Sequence, residues 1–246
     1  MTEKRVALVT GSSSGIGAAI ARRFAAAGLK VVVNSARSHE AGARLAAELP
    51  DAVHIPADVS DPDAARALVA DAVAHHGRLD VLVNNAGTTR FIPLDDLDAA
   101  DADVWRDILD VNVIGTWQTT VAAVPHLRAS GDGSVLNITS VSGRRAMGSS
   151  IPYAVSKAAL DHMTRLLASR LGPEIRVNAL APGLIDTPWY AGEEEAWNGS
   201  RDWIEANTPL RRVGTPEDVA EAALHLVDAR YTTGESLTVD GGRHLV

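Results

Sequence analysis

The chain has no cysteine among its 246 residues. That absence excludes disulfides, thiolate metal sites and thiol nucleophiles together. There is no run of about 18 apolar residues, the length a membrane-crossing helix needs. No export signal is visible either, because MTEKRVALVTG steps from a charged start into a short apolar run that stops at Gly11. Positive charge is in deficit: 23 Lys and Arg against 31 Asp and Glu leave a formal net charge of -8, which argues against a broad nucleic-acid or anionic-membrane surface. The 8 histidines show no HExxH spacing and there is no GxSxG elbow, so neither a metal site nor a serine hydrolase is expected. What remains is a globular composition, 46% hydrophobic and 22% charged. The expected setting is cytoplasmic, with no nucleic-acid partner and no membrane partner.

Short runs rich in Val and Ile alternate with longer Ala-rich segments, the pattern of parallel strands buried on both faces and joined by crossover helices. The fold class predicted is α/β, a doubly wound parallel sheet of Rossmann type with about seven strands and helices on both faces. Strands are expected at 5–10, 30–34, 52–57, 79–84, 133–139, 175–181 and 235–240, and helices at about 15–28, 38–49, 61–76, 101–129, 152–171 and 216–228. Asp61 and Thr215 suit helix starts with Pro62 and Pro216 behind them, and Gly28, Gly77 and Gly172 suit helix ends. With no Ser/Gly/Pro-rich linker and no internal repeat, one domain over 1–246 is expected. The segment 184–214 is too long for a routine connection and reads as a substrate lid.

Directly after the first strand comes TGSSSGIG, with Gly11, Gly15 and Gly17 spaced as GxxxGxG. Glycine at a strand-to-helix turn permits positive φ and close backbone approach, and the next helix offers free N–H groups and a positive dipole end to a phosphate. A dinucleotide site follows. At the end of the second strand, VVVNSARS carries Asn34 where an NAD site commonly has a carboxylate. Arg37 follows, flanked by Ser35 and Ser38, positioned to meet a ribose 2′-phosphate. NADP is therefore favoured over NAD.

In YAVSK, Tyr153 and Lys157 stand at i and i+4, neighbours on one helix face. Free tyrosine, with a pKa of about 10, exchanges a proton poorly near neutral pH, and a fixed cation beside it favours the phenolate. The lysine is expected to tune the acid. Ser140 follows a strand at its carboxyl end, where ligands of doubly wound sheets bind. It suits either a substrate hydrogen bond or a turn cap, and Ser142 lies close by.

TGSSSGIG, NNAG at 84–87, Ser140, YAVSK and the PG pair at 182–183 occur in the order and at the separations of the short-chain dehydrogenase/reductase family. The chain resembles that family over essentially its whole length, with 3-oxoacyl-[acyl-carrier-protein] reductases the nearest general likeness. The resemblance implies an NAD(P)-dependent oxidoreductase that interconverts a ketone and a secondary alcohol, with Asn112, Ser140, Tyr153 and Lys157 as the catalytic group. It implies that Lys157 also meets the nicotinamide ribose and that Asn112 bends its helix and holds a water linking Lys157 to solvent. It implies cofactor contacts from Gly11, Ser13, Ser14, Gly15, Ile16 and Gly17 in the turn, and from Asp58 and Val59 at the adenine, although Asp58 equally suits a turn carboxylate. Asn85, Ala86 and Gly87 are implied at the ribose, and Pro182, Gly183, Ile185 and Thr187 at the nicotinamide. Ser14 stands where many NADP-binding relatives carry a basic residue. A homotetramer built through helices 101–129 and 152–171 is also implied. A redox sensor that binds nucleotide without turnover has no need of Tyr153, and a nucleotide-sugar epimerase or dehydratase has a longer chain; these are the alternative readings.

The lid segment holds Trp189, Tyr190, Trp197 and Trp203, which include three of the 5 tryptophans. They suit an apolar cover over a small-molecule carbonyl or alcohol substrate, or equally packing against the domain or another subunit. Arg144 and Arg145 are placed to attract an anionic group, Arg128 and Arg170 to touch an acyl carrier protein, and His75 and His76 to suit a helix C-terminus as cations. Glu193 to Glu195 are expected to begin a lid helix.

Overall fold

The structure, a computed structural model, describes residues 4–246. Strand β1 (Val6–Val9) reads VALV and is buried throughout. Because successive strand side chains point to opposite faces, its four residues divide between two cores. Ala7 and Val9 pack with helices α1 (Gly15–Ala26), α2 (His39–Glu48) and α8 (Pro216–Asp228), while Val6 and Leu8 pack with α3 (Pro62–His76), α5 (Thr116–Ser130) and α6 (Ile151–Leu171). A continuous apolar run is thus the signature of a strand covered on both sides. Phe24 of α1, fully buried, contributes on the order of 2–3 kcal/mol of this burial by itself.

The other strands are β2 (Lys30–Ser35), β3 (Ala52–Pro56), β4 (Val81–Asn84), β5 (Gly133–Ile138), β6 (Ile175–Pro182) and β7 (Ser236–Val239). All pair in parallel in the order β3-β2-β1-β4-β5-β6-β7. The winding reverses between β1 and β4, and a crevice opens there over the carboxyl ends of the strands. The expected seven strands and their crossover helices are all present, with ends shifted by one or two residues.

Three local differences have physical causes. The long helix expected at 101–129 is interrupted: α4 (Ala102–Leu109) passes through a π turn at Asp110–Gly115 before α5 begins. Gly172 does not end α6 in a left-handed conformation; its φ is -70 and ψ 151. Pro173 follows, and the residue before a proline is driven to extended backbone. Gly28 and Gly77 do take positive φ at the ends of α1 and α3. His76 is not the helix-end cation expected: burial, and then neighbouring His75, lowers its pKa, and its Nε2 is buried without a partner. Asp61 caps α3 by accepting from the N–H groups of Asp63 and Ala64, and Thr215 forms a reciprocal capping box with Asp218 at α8. The 184–214 segment carries a 3-10 turn at Pro188–Tyr190 and helix α7 (Glu194–Asn207).

One polar feature crosses the core. Asn84 donates to Thr120 Oγ1 at 3.0 Å and to Asn137 Oδ1 at 2.9 Å, and Asn137 donates to Thr164 Oγ1 at 2.9 Å, tying β4 and β5 to α5 and α6. Buried amides cost free energy unless satisfied, so this ladder favours the register that brings these donors and acceptors together, although Asn84 Oδ1 itself is buried without a partner. Among the described residues no helix is long and apolar enough to cross a membrane.

Candidate active site

The crevice is a cleft of about 1240 Å³, more than the roughly 300–1,000 Å³ typical of drug-sized ligands. One end is built from the glycine turn. Gly11 has φ +60, and a Cβ there would lie 2.8 Å from the Ala86 Cα; at Gly17 it would lie 2.5 Å from the Asn85 amide nitrogen and 2.6 Å from the Gly11 carbonyl. Any side chain would push β4 and the turn apart. Ser14 precedes α1 in extended backbone with no side-chain cap, and no acidic residue occupies the first turn. The leading N–H groups of α1 therefore face the cleft, as a phosphate requires.

Thr10 and Asn34 brace this turn, and the sequence reading did not single out either for the task. Thr10 Oγ1 accepts from the N–H groups of Asn85 at 3.0 Å and Ala86 at 3.1 Å. Asn34 accepts from Gly11 N–H at 3.2 Å and donates to the carbonyls of Ile55 and Ala57, each at 3.1 Å. Asn34 thus replaces a carboxylate with a buried amide that serves three backbone groups, which a carboxylate could not do. The Asn85 amide likewise turns back to the Thr10 and Gly11 carbonyls, so its work is beneath the turn more than in the cleft.

Ser35 is buried with its hydroxyl 2.9 Å from His54 Nε2, and burial, with His39 nearby, lowers the pKa of that imidazole. Ser35 is therefore already partnered. Arg37 and Ser38 also line the cleft; Ser38 stands at the N-cap of α2 without a side-chain bond, and no ion pair engages Arg37 among the described residues. Asp58 accepts on one oxygen from Ser60 N–H at 3.0 Å and Ser60 Oγ at 2.7 Å, so it is a turn carboxylate with its other oxygen uncommitted. At the far side, Pro182, Gly183, Ile185 and Thr187 pass over the start of α1, where Thr187 carbons lie 3.4 Å from the Cβ position of Gly15.

The reacting end lies above β5 and α6. Tyr153 sits in the first turn of α6, which Ser150 caps by accepting from Tyr153 N–H. Lys157 follows one turn later; its Nζ donates to the Ile138 carbonyl at 2.9 Å and lies 5.7 Å from the Tyr153 ring centroid. Ser140 Oγ accepts from Ser142 N–H at 3.2 Å and lies close enough to the Tyr153 phenol to favour its ionised form. Of the two roles left open for Ser140, the turn cap is present.

Burial acts on the pair in a way that differs from the expectation. It raises the Tyr153 pKa above its ordinary 10, with the Ser140 hydrogen bond opposing, and it pushes Lys157 down to about 8. Desolvation penalises whichever form is charged. The Lys157 ammonium does not offset it, since its Nζ is drawn to the sheet carbonyl of Ile138. The phenol is held protonated, the form that donates.

Asn112 does not line the cleft. It is fully buried in the π turn, accepting from Thr88 N–H at 2.8 Å and donating to Thr88 O at 3.0 Å and Ser156 Oγ at 2.9 Å. Its amide is spent on holding the loop after β4 against α6. Gly87 makes room for this, its Cβ position being 3.4 Å from Asn112 Oδ1 and 3.5 Å from Lys157 Nζ.

The cleft beside Tyr153 has an aromatic wall. Trp189 lies 5.9 Å from Tyr153 between ring centroids, Tyr190 lies 5.5 Å from Phe91, and Trp197 backs Tyr190 at 5.2 Å. Phe91, in a loop, was not legible beforehand. Arg144 is not available to an anion: it pairs with Asp161 at 2.8 Å and reaches the Ser236 carbonyl, fastening α6 to β7. Arg145 donates to the carbonyls of Arg243 and Val246. Arg128 and Arg170 are exposed near the ends of α5 and α6. Arg170 is 17 residues along α6 from Tyr153, about 25 Å at roughly 1.5 Å per residue.

Comparison with known proteins agrees with this geometry. A family model described as Enoyl-(Acyl carrier protein) reductase matches residues 11–244. A ketoacyl reductase named for the granaticin polyketide synthase of Streptomyces violaceoruber is 61% identical, covering 99% of this chain and 98% of its own. Among solved structures, a short-chain dehydrogenase/reductase of glucose/ribitol dehydrogenase type from Brucella melitensis superposes with TM-score 0.90 at 32% identity, over 98% of this chain and 96% of that one. A gluconate 5-dehydrogenase from Burkholderia cenocepacia, in complex with NADP and tartrate, gives TM-score 0.90 at 34% identity over 98% and 96% of the two chains.

Proposed function

The chain belongs to the short-chain dehydrogenase/reductase family, and from that premise we propose a finer assignment: an NADP-dependent ketone reductase in which Tyr153 is the proton donor. It is an oxidoreductase that interconverts a ketone and a secondary alcohol with NAD(P). The single observation that carries the donor assignment is the partly buried Tyr153 set between Ser140 and Lys157 at the mouth of the crevice.

The residues present fit a dinucleotide. Open N–H groups at the start of α1 suit the pyrophosphate, Asp58 and Val59 the adenine, Ala86 and Gly87 the ribose, and the Pro182 to Thr187 strand end the nicotinamide. Bound there, a nicotinamide supplies hydride to the carbonyl carbon or accepts it from the alcohol. Ser140 holds the substrate oxygen and Tyr153 passes its proton to that oxygen, so the alcohol leaves neutral and the phenolate is transient. Lys157, with its pKa near 8, can return a proton to the phenol at neutral pH, and Asn112 holds the Thr88 loop and α6 in the spacing this needs.

NADP is supported by the absence of a carboxylate at Asn34 and by Arg37, which makes no ion pair among the described residues, beside Ser38, whose side chain makes no cap bond. Arg37→Ala should lower kcat/KM with NADPH by about 10- to 100-fold, one charge-assisted contact, and leave NADH within about threefold. Rates with both nucleotides over a panel of ketones, followed at the nicotinamide absorbance, test this and the reaction class together; equal losses with the two nucleotides would contradict the assignment to NADP.

A second copy is proposed to cover the exposed stripe of Ile114, Trp117 and Val121, with Leu166 on α6, as in a homotetramer. A substrate delivered by an acyl carrier protein is the other reading. The distance of Arg170 from Tyr153 along α6 favours a free small molecule.

A further inference from the structure

In a chain short of positive charge, one guanidinium in the cleft makes no ion pair among the described residues. Arg243 begins the short turn Arg243–Leu245 and lines both the main cleft and a smaller one beside it. Its Nε is buried with no hydrogen-bond partner, and among the described residues no carboxylate pairs with it. Asp240 attracts Arg243 without pairing with it, because its oxygens accept from Gly242 N–H at 2.9 Å, His244 N–H at 2.8 Å and His244 Nδ1 at 3.0 Å. The Arg243 guanidinium lies 5.5 Å from the Trp203 ring centroid, which holds it in place. Arg145, bonded to the Arg243 carbonyl, adds a second cation to the same corner.

A half-buried cation with no ion pair or hydrogen bond of its own is costly in a folded protein, and an anion arriving from solution relieves that cost. Glu193 also lines this end of the cleft but makes no ion pair with Arg243. The cleft between Arg243 and Tyr153 is walled by the rings of Trp189, Tyr190 and Phe91, surfaces on which a flat ring stacks well.

Resting on the reductase reading above, we propose that Arg243 is a specificity-determining residue that receives a carboxylate carried on a flat, ring-bearing ketone. The ring lies among the lid aromatics, its carboxylate meets the guanidinium, and the ketone is thereby presented to Tyr153 and Ser140.

The probes are 1-tetralone bearing a ring carboxylate and its methyl ester, offered to wild type, Arg243→Met and Arg243→Lys. Binding to the nucleotide complex is read from tryptophan fluorescence and turnover from nicotinamide absorbance. The acid should bind wild type about 10- to 100-fold more tightly than the ester, the scale of one charge-assisted contact. Arg243→Met should erase that preference through KM, with kcat for the ester unchanged, and Arg243→Lys should restore part of it. Equal binding of acid and ester by wild type, or equal loss of both in Arg243→Met, overturns the assignment of Arg243. Because binding is measured apart from reaction, absence of turnover with bound acid would tell against the reductase reading and leave the Arg243 result standing.

Discussion

Tyr153→Phe is expected to lower ketone reduction by about 10²- to 10⁴-fold, the range over which a positioned acid acts, with nucleotide affinity nearly unchanged. The phenyl ring keeps its place in the first turn of α6 and its contact with Trp189, so only the hydroxyl that Ser140 engages is lost. No other side chain described around Ser140 can replace it: Lys157 Nζ is directed to the Ile138 carbonyl and the Asn112 amide is occupied by Thr88 and Ser156. Single-turnover rates with a saturating nucleotide isolate the step. If the variant retained most of its rate, the proton would have to come from elsewhere and the donor assignment would be wrong.

Lys157→Met should do two opposite things. Turnover should fall by at least about 10²-fold, since the cation beside the phenol is removed. The nucleotide-free fold, however, should become more stable at pH 7. Burial lowers the Lys157 pKa from 10.5 to about 8, so the folded state resists the proton that the unfolded chain binds. The resulting cost is fully present below pH 8 and disappears as pH rises from about 8 to 10.5. At roughly 1.4 kcal/mol per pKa unit the cost is about 3 kcal/mol, offset by about 1 kcal/mol for the lost bond to Ile138. Urea unfolding of both proteins at pH 7 and at pH 10 checks the sign. A variant less stable than wild type at pH 7, or a difference that ignores pH, would show that the ammonium is better solvated than its burial indicates.

The parts of this protein that were legible in advance are those where local chemistry and fold agree. The strand VALV announces itself because both its faces are covered, and the glycine turn because Gly11 and Gly17 leave no space for a side chain. Glu193 to Glu195 read as the start of a helix within 184–214, and α7 begins at Glu194. What stayed hidden depends on partners distant in sequence. Arg144, Arg145 and Arg243 look alike as residues, yet the first is neutralised by Asp161, the second serves two carbonyls and the third is left over. The amide of Asn34 read as an absent acid, and its three backbone bonds depend on β1 and β3 lying on either side. The effect of burial on Tyr153, opposed only by the Ser140 hydroxyl, could not be weighed without knowing how deeply α6 sits.

The π turn at Asp110–Gly115 has a geometric consequence for the rod that contains it. A π turn amounts to one surplus residue in an α-helix, and one residue is about 100° of rotation at 3.6 residues per turn. The angular phase of the side chains therefore jumps midway, letting Ile108 upstream face the crevice while Ala123 and Leu127 downstream face the sheet. Excising that one residue would restore an unbroken screw and swing one half of the rod away from its target.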